Sequence, residues 1–269
     1  MLRLSRREED FDHLKNKYIW TLGEFLDFLA EEYKKLSNRV YKDLIIGDLI
    51  KEYPLTESFD EIMEEIHESG YEFLIPAFLR AFDMTEGEKF FEILTNALLR
   101  DNIQVHDIES LLKDIDRMEF ERYLENFIEN DETLTFRNAC VLLKNMTRSI
   151  YFTNAIDKLL HRFKSNFEAD PEALFNIALA DVDGYMILDD IKEIFGVSMY
   201  DRFLMFIPEE TTYQHNEYEN ALFAGIQWMF EYNDYKPNKE FLDDIIDECE
   251  PGAIQALLKF YKKRLYGEE

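Results

Sequence analysis

Residues that make turns are few in this sequence: nine glycines and six prolines among 269 residues. A many-stranded β protein needs them at its turns and valine along its strands, and valine is scarce too. Cysteine is limited to Cys140 and Cys249, far apart and matching no metal or redox spacing, which predicts two buried thiols in a reducing compartment. No apolar run reaches the length of a bilayer span; the longest, from Phe73 to Leu79, covers about a third of one and contains Pro76. The segment from Met1 to Asp10 turns charged at once and has no apolar core of signal-peptide length, so a cytoplasmic protein is expected. Cationic residues are outnumbered, 30 against 57 acidic ones, giving a formal net charge of -27.

What remains is helix-forming. Hydrophobic residues make up 46% and aromatic residues 15%, enough for a packed core in spite of the charge. Capping boxes are written at Thr21/Glu24, Ser58/Glu61 and Thr85/Glu88, each opening an apolar-periodic run. Asp170-Pro171 fits an N-cap followed by proline at the first helical position. Gly70, Gly196 and Gly252 fall where helices stop or start. These marks predict an all-α chain of about fifteen helices of roughly ten to sixteen residues.

Four segments share a weak pattern: Ile62/Ile66 before Phe73-Leu74, Leu111/Ile115 before Tyr123-Leu124, Ile191/Phe195 before Phe203-Leu204, and Ile245/Cys249 before Ala256-Leu257. Each describes a helix, a tight turn and a second helix folding back. The expected architecture is therefore an irregular, α-solenoid-like array of helical hairpins or a multi-helix bundle. We expect a single array over 1–269, with a subdivision into a main part, 1–207, and a C-terminal group, 217–269. The polar stretch Pro208 to Asn216 and the stretch Lys164 to Asp170 are the candidate connections.

Charge is distributed unevenly. From Ser165 to Leu257 there are 21 acidic residues and four basic ones, Lys192, Arg202, Lys236 and Lys239. Asp181, Asp183, Asp189, Asp190, Asp243, Asp244, Asp247 and Glu248 are the richest candidates for a surface that binds a cationic partner. The last four lie on one predicted helix, where 243/247 and 244/248 are like-charge neighbours that weaken an isolated helix by a few tenths of a kcal/mol per pair, roughly. Rows of carboxylates at such spacing can imitate nucleic-acid phosphates. The stretch from Arg137 to Phe167 runs the other way, with Arg137, Lys144, Arg148, Lys158, Arg162 and Lys164 against Asp157 alone. Functionally it would face a phosphate or nucleotide; structurally it would complement the acidic helices.

Several chemistries receive little support. Asp181-Val-Asp183-Gly184 matches part of a calcium loop, but Leu179 falls at the first ligand position and no glutamate closes the loop. Glu64 and His67 form half of a di-iron pattern, and the histidines at 13, 67, 106, 161 and 215 are scattered singly. No phosphate-binding glycine loop, nucleophile elbow or paired-cysteine motif occurs. Arg100-Asp101 followed by His106 has an Arg-x5-His spacing that resembles the HEPN ribonucleases, which are all-α. The resemblance covers seven residues, Arg7 and His13 repeat the spacing, and a ribonuclease is what it implies for Arg100 and His106.

The expectation is a non-catalytic interaction protein, an acidic inhibitor or regulator docking on a basic protein, with phosphate mimicry against a nucleic-acid-handling enzyme as the sub-case. It would use no cofactor and no metal, and contact neither a membrane nor nucleic acid directly, since its field opposes a polyanion. A helical scaffold with an apolar peptide groove is the alternative, and a HEPN-like ribonuclease the third reading.

Overall fold

A computed structural model describes residues 21–36, 42–53, 55–83, 87–99, 116–149, 152–180, 184–211 and 216–267. Among them are fifteen α-helices and no strand. The chain forms two compact units, one comprising Met1–Ala97 with Asn102–Arg117, the other Leu98–Asp101 with Met118–Glu269.

The first unit holds α1 (Leu22–Lys35), α2 (Lys42–Glu52), α3 (Phe59–Ser69), α4 (Ile75–Ala81) and α5 (Glu88–Leu98). Thr21 and Ser58 cap α1 and α3 as capping boxes, each hydroxyl accepting from the backbone N–H of the glutamate three residues on. Gly70 closes α3 in the left-handed conformation. Apolar residues three and four apart turn one face inward: Phe25, Leu26 and Leu29 on α1, Ile62 and Ile66 on α3. Helices α2 and α4 pack closely at Gly47, where a Cβ would stand 3.2 Å from the carbonyl oxygen of Ala77.

The second unit holds α6 (Arg117–Asn130), α7 (Phe136–Ser149), α8 (Thr153–Arg162), α9 (Lys164–Ala169), α10 (Pro171–Ala178), α11 (Ile187–Phe195), α12 (Ser198–Glu210), α13 (Asn216–Glu231), α14 (Lys239–Glu248) and α15 (Ala253–Tyr266). From α10 onward the packing is that of a helical-hairpin array. Helix α10 contacts α12 and α12 contacts α14, while α11 contacts α13 and α13 contacts α15. The hairpin contacts α11–α12 and α14–α15 link the two rows. The core between them is aromatic: Phe175 meets Phe203 edge-on at 5.0 Å, and Phe230 stacks on Tyr261 at 4.7 Å. Fully burying one such ring contributes about 1.5–3 kcal/mol.

Several expectations are corrected. Pro208 belongs to no linker; it is buried in the last turn of α12, which continues to Glu210. Its missing N–H costs one hydrogen bond near a helix end, and burial offsets that loss. Lys164–Ala169 is likewise a short helix, anchored by buried Phe167. Helices α4, α9, α10 and α11 have six to nine residues, shorter than expected, because tertiary packing holds turns that could not stand alone. In the fourth look-alike segment Ile254, Leu258 and Tyr261 are buried, whereas Ala256 is exposed. Thr85, Leu111 and Ile115 lie outside the described residues.

Candidate interaction surface

Helix α14 carries the clearest charged face. Asn238 caps its start, accepting from the N–H of Glu240 at 2.9 Å and of Phe241 at 3.4 Å. Leu242, Ile245 and Ile246 are buried against α12 and α15. The 3.6-residue period then forces Glu240, Asp244, Asp247 and Glu248 together on the opposite, exposed face. Asp243, at its margin, pairs with Lys262 of α15 at 2.5 Å. Among the described residues no cation pairs with the other four. Asp247 and Glu248 lie in the last turn, which holds no basic residue, so both oppose the helix dipole.

The predicted acidic group around α11 divides. Asp181 and Asp183, with the calcium-loop fragment they carry, lie outside the described residues. Asp189 is exposed and fixed: the Trp228 indole Nε1 donates to its Oδ1 at 2.8 Å, and Asn233 Nδ2 donates to the same oxygen at 2.6 Å. Asp190, next along α11, is half-buried. Burial first, then the charges of Asp189 and Asp190, push the Tyr200 phenol well above its ordinary range, and its hydroxyl donates to the Leu188 carbonyl at 2.7 Å.

Half of the basic stretch is shown engaged within the fold. Lys158 bridges Glu125 at 2.9 Å and Glu129 at 2.6 Å, and those contacts raise its pKa. Arg162 donates to the carbonyls of Ile128 and Asp131 at the end of α6, the latter at 2.7 Å. Lys164 donates to the carbonyl of Ile194 near the end of α11, at 2.8 Å. Arg137 is exposed, Lys144 half-buried, and the side chain of Arg148 is outside the described set.

Sequence reasoning missed that two of the four cations after Ser165 are used in the same way. Lys192 donates to the Asn233 carbonyl just beyond α13 at 2.8 Å, and Arg202 to the Glu168 carbonyl near the end of α9 at 2.8 Å. A cation at a helix C-terminus satisfies orphan carbonyls and complements the dipole. Lys236 lies 5.3 Å from the centre of the Tyr266 ring. These cations are drawn toward backbone and ring acceptors, and the exposed carboxylates are left to set the outward field.

Arg100 and His106 lie outside the described residues, as do Arg7 and His13. His67 faces Glu72 at 3.8 Å, and among the described residues no group of three or more His, Cys, Asp or Glu is placed to hold a metal. Burial pushes both cysteine thiols up to about 11, away from nucleophilic use. No described helix is long and apolar enough to cross a membrane. Comparison with protein-family models, with curated proteins and with solved structures finds no match.

Proposed function

We propose that the protein is a non-catalytic interaction protein, an inhibitor or regulator whose acidic face on α14 docks on a basic partner. The observation that carries the reading is the single sign of that face: Glu240, Asp244, Asp247 and Glu248 exposed together, two of them at the unfavourable end of the helix. An exposed helix face in a stacked row needs polar residues, and mixed charges provide them without repulsion. Four acids of one sign add a strong directional field, which steers a cationic partner and is costly to keep otherwise.

The spacing favours a partner built to hold phosphates. From Glu240 to Glu248 the helix rises about 12 Å, so the four carboxylates recur about every 4 Å of axis, against about 3.4 Å per phosphate along one strand of a duplex. A groove that grips a nucleic-acid backbone would meet a similar charge density on α14.

The test is affinity capture from host lysate, at low and at about 0.5 M salt, with the wild type and with Asp244→Lys/Asp247→Lys/Glu248→Lys. Asp243 is spared because it holds Lys262. Capture that is lost in the folded variant and at high salt is the expected result. Capture unchanged by both overturns the proposal and favours an apolar groove instead.

A further inference from the structure

A second feature of the same unit combines an aromatic surface with a fixed carboxylate. Trp228 on α13 stacks on Tyr232, with centroids 4.7 Å apart and planes 28° apart, and meets Tyr185 at 5.0 Å from the 3-10 turn that leads into α11. Tyr232 is 66% exposed, so its ring adds little to the core. At the edge of the indole, Asp189 takes both the indole N–H and the Asn233 amide on one oxygen, which holds its carboxylate in place. Asn233 is itself anchored, its backbone carbonyl accepting from Lys192.

The Trp228–Asp189 hydrogen bond helps to join α11 to α13. It does not require an exposed tyrosine stacked on the indole. An exposed aromatic plane beside an oriented carboxylate matches one chemical group closely. A guanidinium is planar and weakly hydrated, lies face-on over an aromatic ring, and donates in-plane N–H groups to a carboxylate at its edge. An ammonium is compact and strongly hydrated and gains less from the ring.

Local charge agrees. Asp190 and Glu193 on α11, Glu231 at the end of α13 and Asp234 just beyond it are described acids close in sequence to these residues. Lys192, on the Asn233 carbonyl, keeps its charge beside Asp189, and Arg264 pairs with Glu231 at 3.3 Å; the described acids there still outnumber these two cations.

We infer that Tyr185, Trp228, Tyr232 and Asp189 form a docking site for an arginine side chain on a basic partner. This rests on the acidic-surface reading and adds to it: α14 supplies the field, and the aromatic row selects arginine over lysine.

The test titrates the ¹⁵N-labelled full chain with hexa-arginine and with hexalysine at low salt. The readouts are the indole N–H of Trp228, separated from that of Trp20 by a Trp20→Phe variant, and the side-chain amide of Asn233. Hexa-arginine is expected to move both signals saturably and to bind more tightly than hexalysine. Tyr232→Ala, at an exposed position where folding is retained, should weaken hexa-arginine about two- to fivefold and leave hexalysine unchanged, while Tyr232→Phe should restore the affinity. Asp189→Asn should weaken both peptides. Equal affinity for the two peptides, or arginine binding insensitive to Tyr232→Ala, overturns the arginine site; if the amides of Asp244, Asp247 and Glu248 still shift, the broader acidic reading survives. Binding of neither peptide overturns both.

Discussion

Replacing Asp247 by lysine should stabilise the protein while weakening its capture of a basic partner. Asp247 stands four residues after Asp243 and three after Asp244, so it makes two like-charge pairs on α14. Each costs about 0.3 kcal/mol, and each becomes attractive by a similar amount with lysine, acid N-terminal to base being the better order; the two changes sum to about 1.2 kcal/mol. Moving from anion to cation in the last turn adds about 0.5 kcal/mol more from the dipole. Ordering a lysine side chain and solvent screening take back part of this, leaving a gain of about 1–1.5 kcal/mol at low ionic strength. That corresponds to a rise in Tm of roughly 3–5 °C for a unit of this size. Thermal unfolding followed by circular dichroism at about 10 mM and 1 M salt measures it, since the Debye length falls from about 30 Å to about 3 Å. Most of the gain should vanish at high salt. A variant that is no more stable at low salt, or whose gain is independent of salt, refutes the idea that the acids of α14 are held against their own repulsion.

Gly225→Ala should stabilise by about 0.5–1 kcal/mol in urea unfolding, because glycine is a poor helix former and its site in α13 has room. The added Cβ would meet Phe203, Leu188 and Leu179 at 3.5–3.9 Å, ordinary van der Waals contact. Arg162→Met should destabilise by about 1–2 kcal/mol through the carbonyls it leaves at the end of α6, and Arg162→Lys should recover only part. Equal stability of all three forms would release Arg162 for an external ligand. Stability should also decline as pH rises above about 9. Cys140 and Cys249 are raised from 9.0 to about 11, and Tyr200, Tyr235 and Tyr261 are raised from 10.0, chiefly by burial. Their neutral forms favour the fold, so the stabilisation is complete below the unfolded pKa values and is lost as pH climbs toward the folded ones. A flat urea midpoint between pH 8 and 10.5 would contradict this.

The helical character, the caps at Thr21, Ser58 and Asp170, and three of the four acids on the face of α14 were legible in the sequence because each depends on spacings of at most a few turns. Glu240 was missed, and Asp243 pairs with Lys262 instead. Asp170 accepts from the N–H of Ala173 with Pro171 at the first helical position, as written in the local sequence. Pro208 reads locally as a breaker and ends inside α12 because packing decides its place. The Asp189–Trp228 bond joins residues 39 positions apart, and nothing in either neighbourhood marks the other. The roles of Arg162, Lys164, Lys192 and Arg202 were hidden for a further reason: their partners are backbone carbonyls, which carry no residue identity.

The excess of 57 acidic over 30 basic residues sets the negative background, and those four cations sharpen it by directing their side chains to backbone acceptors. Each has a partner that is a carbonyl at or just beyond a helix end, namely α6, α11, α13 and α9. An array of short helices multiplies such ends, and every end leaves carbonyls that attract a cation. Carboxylates have no matching use at C-termini, and at N-termini only some are taken up, Asp170 as the cap of α10 and Glu24 and Glu61 in the capping boxes. Short helices therefore sort charge by sign, drawing Lys and Arg to backbone acceptors and leaving Asp and Glu outside. That sorting accounts for an acidic background but not for an aromatic row beside an oriented Asp189, nor for two acids in the last turn of α14. Those two departures are where function is to be sought.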